Sequence, residues 1–139
     1  EILPEVQLEK SPKCITNFLE TVWFENQNGQ FVRQQLPVEA SISSVNAISV
    51  NDFDQDGNKD ILLAGNVPYN RVRIGRRDGS FGIYLKGDGK GNFSYLPNWK
   101  TGLFIQGSVR ALETIQTKKN KKLVVGINNA KPLLISIEK

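Results

Sequence analysis

Apolar residues in this chain fall in short runs set between clusters of Gly, Asn and Asp. Ile61-Leu62-Leu63-Ala64-Gly65 is a continuous apolar run of the kind carried by a strand buried on both faces. Ser44-Val45-Asn46-Ala47-Ile48-Ser49-Val50 is rich in β-branched residues and has no helix cap, so it also reads as a strand. Applied along the chain, the same reading predicts strands at 21–26, 30–36, 44–51, 60–66, 81–87, 92–97, 108–115, 122–128 and 132–138.

The pattern recurs imperfectly. Val22-Trp23-Phe24-Glu25-Asn26-Gln27-Asn28-Gly29-Gln30-Phe31 matches Ile83-Tyr84-Leu85-Lys86-Gly87-Asp88-Gly89-Lys90-Gly91-Asn92-Phe93, with the closing Phe offset by 62 residues. Leu36-Pro37 recurs as Leu96-Pro97, and Val45-Asn46-Ala47-Ile48 as Val109-Arg110-Ala111-Leu112. A period of about sixty residues carrying four short strands is the pattern of a β-propeller blade. The expected fold is therefore all-β: a propeller fragment of about two four-stranded antiparallel blades. Residues 1–20 form an N-terminal extension and 21–139 the blades. Within them, 21–36 is the outer hairpin of a preceding blade, 44–97 a complete blade and 108–138 part of a following one.

Between strands 44–51 and 60–66 lies Asp52-Phe53-Asp54-Gln55-Asp56-Gly57-Asn58-Lys59-Asp60, with an oxygen-bearing residue at every second position. Ca²⁺ takes six to eight oxygens at about 2.3–2.6 Å. Asp52, Asp54, Asp56 and Asp60 supply carboxylates, Asn58 offers its backbone carbonyl, and Gly57 allows the sharp turn. Four carboxylates crowded together repel one another unless a cation intervenes. The loop is not an EF-hand: the bidentate Glu of that motif would fall on Leu63, and a strand follows instead of a helix. The alternative is an Asp/Asn/Gly turn held by side-chain to backbone bonds without metal. In the second copy, Gln116-Thr117-Lys118-Lys119-Asn120-Lys121-Lys122 replaces carboxylates with lysines and holds no cation.

Composition narrows the function. The 139 residues suffice for one domain with a core. No run of apolar residues is long enough for a membrane span, and no signal-peptide pattern is present. The chain has no His, which removes Ser-His-Asp and Cys-His pairs and histidine-bound zinc. With the remaining carboxylates scattered, the expectation is that the chain is not an enzyme. The formal charge of +4 invites a nucleic-acid reading, but the basic run 118–122 joins two strands and reads as a solvated hairpin turn without stacking aromatics. Cys14 is expected to be a partly buried small apolar residue. Trp99, beside Asn98 and Lys100, is expected to pack between blades; the alternative is that Trp99 and Tyr69 stack on glycan.

The segment 52–60 resembles the D-x-D-x-D-G-x-x-D motif of FG-GAP/VCBS repeats, the calcium-binding blades also seen in integrin α-subunit propellers. Leu36 to Ala40, Asp54 to Asn66, Ile74 to Gly82 and Gly87 to Phe93 are similar to the C-terminal part of large secreted VCBS proteins with ASPIC/UnbV-type ends, common in Bacteroidetes. The resemblance runs from about Asn17 to Ser136 and implies Asp52, Asp54, Asp56, Asn58 and Asp60 as Ca²⁺ ligands. Family members carry a full ring of blades, so it also implies that this chain belongs to a longer propeller.

The resemblance implies an extracellular, periplasmic or cell-surface setting and no single activity. The expected function is a non-catalytic scaffold that binds a protein or carbohydrate ligand, with self-association through the incomplete blades. The alternatives are an accessory module of an extracellular hydrolase or lectin whose site lies elsewhere, and a polyanion-binding module using the basic turn. Arg76-Arg77-Asp78 reads either as an ion-paired loop lock or as a ligand contact.

Overall fold

The computed structural model describes residues 12, 14–67, 75, 78–118 and 120–137. Its strands are β1 (Val22–Gln27), β2 (Gln30–Gln35), β3 (Val45–Asn51), β4 (Asp60–Gly65), β5 (Ile83–Gly87), β6 (Phe93–Leu96), β7 (Val109–Gln116), β8 (Lys121–Ile127) and β9 (Leu133–Ile137). Every expected strand is present, with its ends within two residues of the expected bounds. Most of the segment between the expected strands 60–66 and 81–87, including Tyr69, Arg76 and Arg77, lies outside the described residues, as does Lys119. Residues 14–20 carry neither strand nor helix, and Cys14 is exposed, not partly buried.

The strands form three antiparallel sheets in sequence order: β1-β2, β3-β4-β5-β6 and β7-β8-β9. The described residues are thus all-β and antiparallel. The four-stranded sheet covers the expected complete unit 44–97. Among the described residues the sheets do not close into a ring, and β9 pairs only with β8.

Two apolar layers explain why β4 is continuously hydrophobic. On one face, Ala47, Leu62 and Ala64 pack with Val109, Leu112, Leu123 and Val125 from the three-stranded sheet. On the other, Leu63 packs with Ala40, Ile83 and Leu85, flanked by Leu36 of the first hairpin and by Phe93 and Tyr95. Because successive side chains of a strand point to opposite faces, a strand with apolar layers on both sides must be apolar at successive positions. Burying each large side chain contributes about 1.5–3 kcal/mol.

The segments that match in sequence also match in structural detail. Leu36-Pro37 and Leu96-Pro97 each lead into one helical turn, a 3-10 turn over Val38–Ser41 and helix α1 over Asn98–Thr101. Pro37 and Pro97 sit at the start of these turns in the extended conformation, with ψ of 144° and 149°. The register of β3 against β4 shifts between Val45 and Ala47, and that of β7 against β8 between Val109 and Ala111. Beyond each shift an Asn closes the end of the sheet: the Asn66 N–H donates to the Ser44 carbonyl at 3.0 Å, and the Asn128 N–H to the Ser108 carbonyl at 2.8 Å.

Helix α1 corrects the expectation for Trp99. The ring is 79% exposed, with the Lys100 ammonium 5.2 Å from its centroid. One helical turn can aim only part of its surface at the sheet, and here Asn98 faces inward. Its amide donates to the carbonyls of Gly82 at 2.9 Å and Leu103 at 2.8 Å.

Candidate metal centre

The loop 52–59 joins β3 to β4, and pairing of Asn51 with Asp60 holds its two ends together. Gln55 and Gly57 adopt left-handed φ of 61° and 92°, which lets the chain turn sharply between antiparallel β3 and β4. Glycine carries that conformation without strain, as the sequence predicts for position 57.

Asp60 opens β4 and is fully buried. Its Oδ2 accepts hydrogen bonds from the Phe53 N–H at 3.0 Å and the Tyr84 hydroxyl at 2.7 Å, and its Oδ1 accepts one from the Gly87 N–H at 3.0 Å. A buried carboxylate is tolerated when donors surround it in this way. Burial, and then the hydrogen bond to Asp60, push the Tyr84 hydroxyl well above its ordinary pKa, so it stays a donor. Gly87 has no substitute here, because an added Cβ would lie 2.1 Å from the Lys59 carbonyl oxygen.

The remaining acidic side chains fold back on the loop. Asp52 accepts from the backbone N–H groups of Asp56 at 3.1 Å and Gly57 at 3.0 Å. Asp54 accepts from the Asp56 N–H at 3.2 Å, and Asp56 from the Asn58 N–H at 2.8 Å. The Lys86 ammonium, carried on β5, bonds Asp54 and also reaches Asp56 Oδ2 at 2.8 Å. The hydrogen bond from Lys86, and then that from the Asn58 N–H, hold the Asp56 carboxyl below the usual carboxylate range. In return, hydrogen bonds to Asp54 and then Asp56 push the Lys86 ammonium up. The expected repulsion among carboxylates is thus partly relieved by backbone amides and one lysine.

Of the four expected carboxylate ligands, the fold brings three together. Carboxylate oxygens of Asp52, Asp54 and Asp60 all lie within 4.8 Å of one another. Oxygens on opposite sides of one Ca²⁺ are about 4.6–5.2 Å apart, twice the usual bond length, so the three fit around a single ion. A carboxylate offers about four acceptor sites, and the hydrogen bonds described above leave at least one unused on each of the three. Asp56 is turned toward Lys86 and the Asn58 N–H instead of joining this group.

Tyr84 and Lys86 escaped the sequence reading. Alternation along β5 puts them on one face of that strand, but only the β4–β5 pairing, with Ile61 opposite Leu85, carries them to the acidic loop. A recess of about 750 Å³ opens at the Asn66 and Asn128 end of the sheets. Gln106, Ser108, Asn129 and the acidic Asp78 are among its described lining residues. Phe81, at its border, stacks on Phe104 with ring centroids 4.6 Å apart.

Comparison with family models, curated proteins and solved structures found no match for this chain.

Proposed function

We propose that this chain is a calcium-stabilised segment of a β-propeller of FG-GAP/VCBS type, a non-catalytic scaffold for binding protein or glycan in a secreted or cell-surface protein. The convergence of Asp52, Asp54 and Asp60 at a strand-to-strand turn carries the metal part of this reading. The ion's role is structural. With a dissociation constant tenfold below the free calcium concentration, it adds about 1.4 kcal/mol of stability.

The matched positions of the two sheets support the propeller part. Leu112 is buried against the four-stranded sheet, whereas its counterpart Ile48 is 58% exposed. Among the described residues the sheet that precedes β3 consists of β1 and β2. Trp23 of β1 meets Phe93 edge to face at 5.9 Å between centroids, Leu36 and Ala40 beyond β2 pack with the layer around Leu63, and Ile48 and Val50 stay exposed. A further pair of inner strands would cover that half-face as the four-stranded sheet covers Leu112.

Titration calorimetry tests the metal reading. Ca²⁺ is expected to bind at one site more tightly than Mg²⁺, since carboxylates in a turn suit a large ion better than a strict octahedron. Asp54→Ala is expected to abolish the calcium heat. Equal affinity for both ions, or no heat with Ca²⁺, sinks the reading. For the binding role, an uncharged glycan or protein ligand is taken over a polyanion, because the basic run 118–122 has no stacking aromatics interleaved with it. Glycan-array binding insensitive to added salt supports this choice, and a steep salt dependence overturns it.

A further inference from the structure

We infer that the Lys86 ammonium is the resident cation of the 52–60 loop, and that a divalent ion binds there in competition with it. The inference rests on the calcium reading and adds to it the residue that sets the affinity and makes the loop stable without metal.

Three observations carry it. First, Lys86 comes from β5, a strand distant in sequence, and its ammonium lies across Asp54 and Asp56, so a positive charge is already placed at the mouth of the cluster. Second, Asp54 belongs both to the lysine pair and to the convergent trio Asp52, Asp54 and Asp60. An ion taking up Asp54 oxygens must share them with the ammonium or displace it. Third, the other two members of the trio make no bond to Lys86. Asp60 is satisfied by Phe53, Tyr84 and Gly87, and Asp52 by the amides of Asp56 and Gly57.

Charge balance points the same way. Four carboxylates, Lys59 within the loop and the Lys86 ammonium leave a net charge of −2, which still attracts a divalent ion, while Lys86 removes part of the repulsion that an empty loop would suffer. The Lys86 side chain is 38% exposed, so the ammonium can swing into water when displaced, at modest cost for a solvent-screened pair. The device therefore exchanges metal affinity for metal-independent folding: the loop keeps its shape at low calcium and gains less when calcium arrives.

The test uses the whole chain with Lys86→Met, which keeps the length of the stem, and Lys86→Arg, which keeps the charge. In chelator, the Met variant is expected to unfold at a lower temperature than wild type. By calorimetry it is expected to bind Ca²⁺ about tenfold more tightly, in line with removing one screened charge next to the ion. Its calcium-induced rise in unfolding midpoint is expected to exceed that of wild type, and the Arg variant to stay within about threefold of wild-type affinity. An Arg variant that follows the Met variant overturns the inference, because stem packing and not charge would then be responsible. Met and wild-type affinities equal within twofold, with calcium heat present in both, overturn the competition and leave the calcium reading standing. No heat from either protein overturns the calcium reading and the competition together. Heat from the Met variant alone supports the competition most strongly.

Discussion

At the scale of single residues, Asp60 and its three donors bind the turn to the sheet. Removing the Tyr84 hydroxyl deletes one hydrogen bond to a charged group, worth about 1.5–3 kcal/mol. Tyr84→Phe is expected to lower urea stability in chelator by an amount near the bottom of that range, because Tyr84 is only half-buried. Asp60→Ala leaves the Tyr84 hydroxyl and two backbone N–H groups without acceptors and is expected to cost about 3–5 kcal/mol. Urea midpoints check both, and a Tyr84→Phe protein as stable as wild type would show that the hydroxyl is solvated equally well without Asp60. A second carboxylate of this kind is Asp88, which accepts from the Asn92 side chain at 2.7 Å, the Lys90 N–H at 2.7 Å and the Asn92 N–H at 3.1 Å. The Asn92 side chain first, and then the Lys90 amide, hold its pKa below the ordinary 3.8. A carboxyl depressed in the folded state stabilises the fold above its unfolded pKa, and that contribution disappears as pH falls through the folded value. The unfolding midpoint of wild type is therefore expected to fall more steeply below pH 3.8 than that of Asp88→Asn. Parallel curves would contradict this.

At the scale of the element, the shift in register between β3 and β4 depends on a glycine. A Cβ on Gly65 would lie 1.8 Å from the Ser44 carbonyl oxygen and 2.7 Å from its carbon. Both are backbone atoms that cannot rotate away, and that same oxygen accepts the Asn66 N–H. Gly65→Ala is expected to destabilise the protein by about 1–3 kcal/mol, the usual cost of overpacking, and to speed amide exchange at Asn66. Gly126→Ala serves as the control. Its nearest neighbour would be the Ala111 Cβ at 3.3 Å, a contact that small shifts relieve, so its expected cost is about 1 kcal/mol or less. Equal losses from the two substitutions would indicate that glycine flexibility, not the close approach to Ser44, governs the site.

At the scale of the whole molecule, the sheets leave apolar surface and strand edges open among the described residues. Ile48 and Val50 stand bare on β3, and β9 ends its sheet with one unpaired edge among the described residues. Exposed apolar faces and open strand edges promote association. Light scattering is expected to show a mass that rises with protein concentration, and Ile48→Lys to reduce that rise. A strictly monomeric wild type, with β9 exchanging its amide hydrogens as slowly as β4, would refute intermolecular pairing.

Local pattern alone was enough to specify the strands, because a strand's face alternation and its turn residues are written within a few positions. It also placed the acidic loop between β3 and β4 and gave Gly57 its left-handed role, for the same local reason. The match between Val45-Asn46-Ala47-Ile48 and Val109-Arg110-Ala111-Leu112 carried through to a shared register shift, since both depend on neighbouring residues in paired strands. Tertiary structure decided which side chains meet at the loop. It brought Lys86 and Tyr84 from β5 to the acidic turn, turned Asp56 away from the convergent trio, and left Trp99 in solvent while Asn98 faced the sheet. These outcomes depend on how β4 pairs with β5 and on which face a single helical turn presents, quantities that arise only when strands distant in sequence pack against one another.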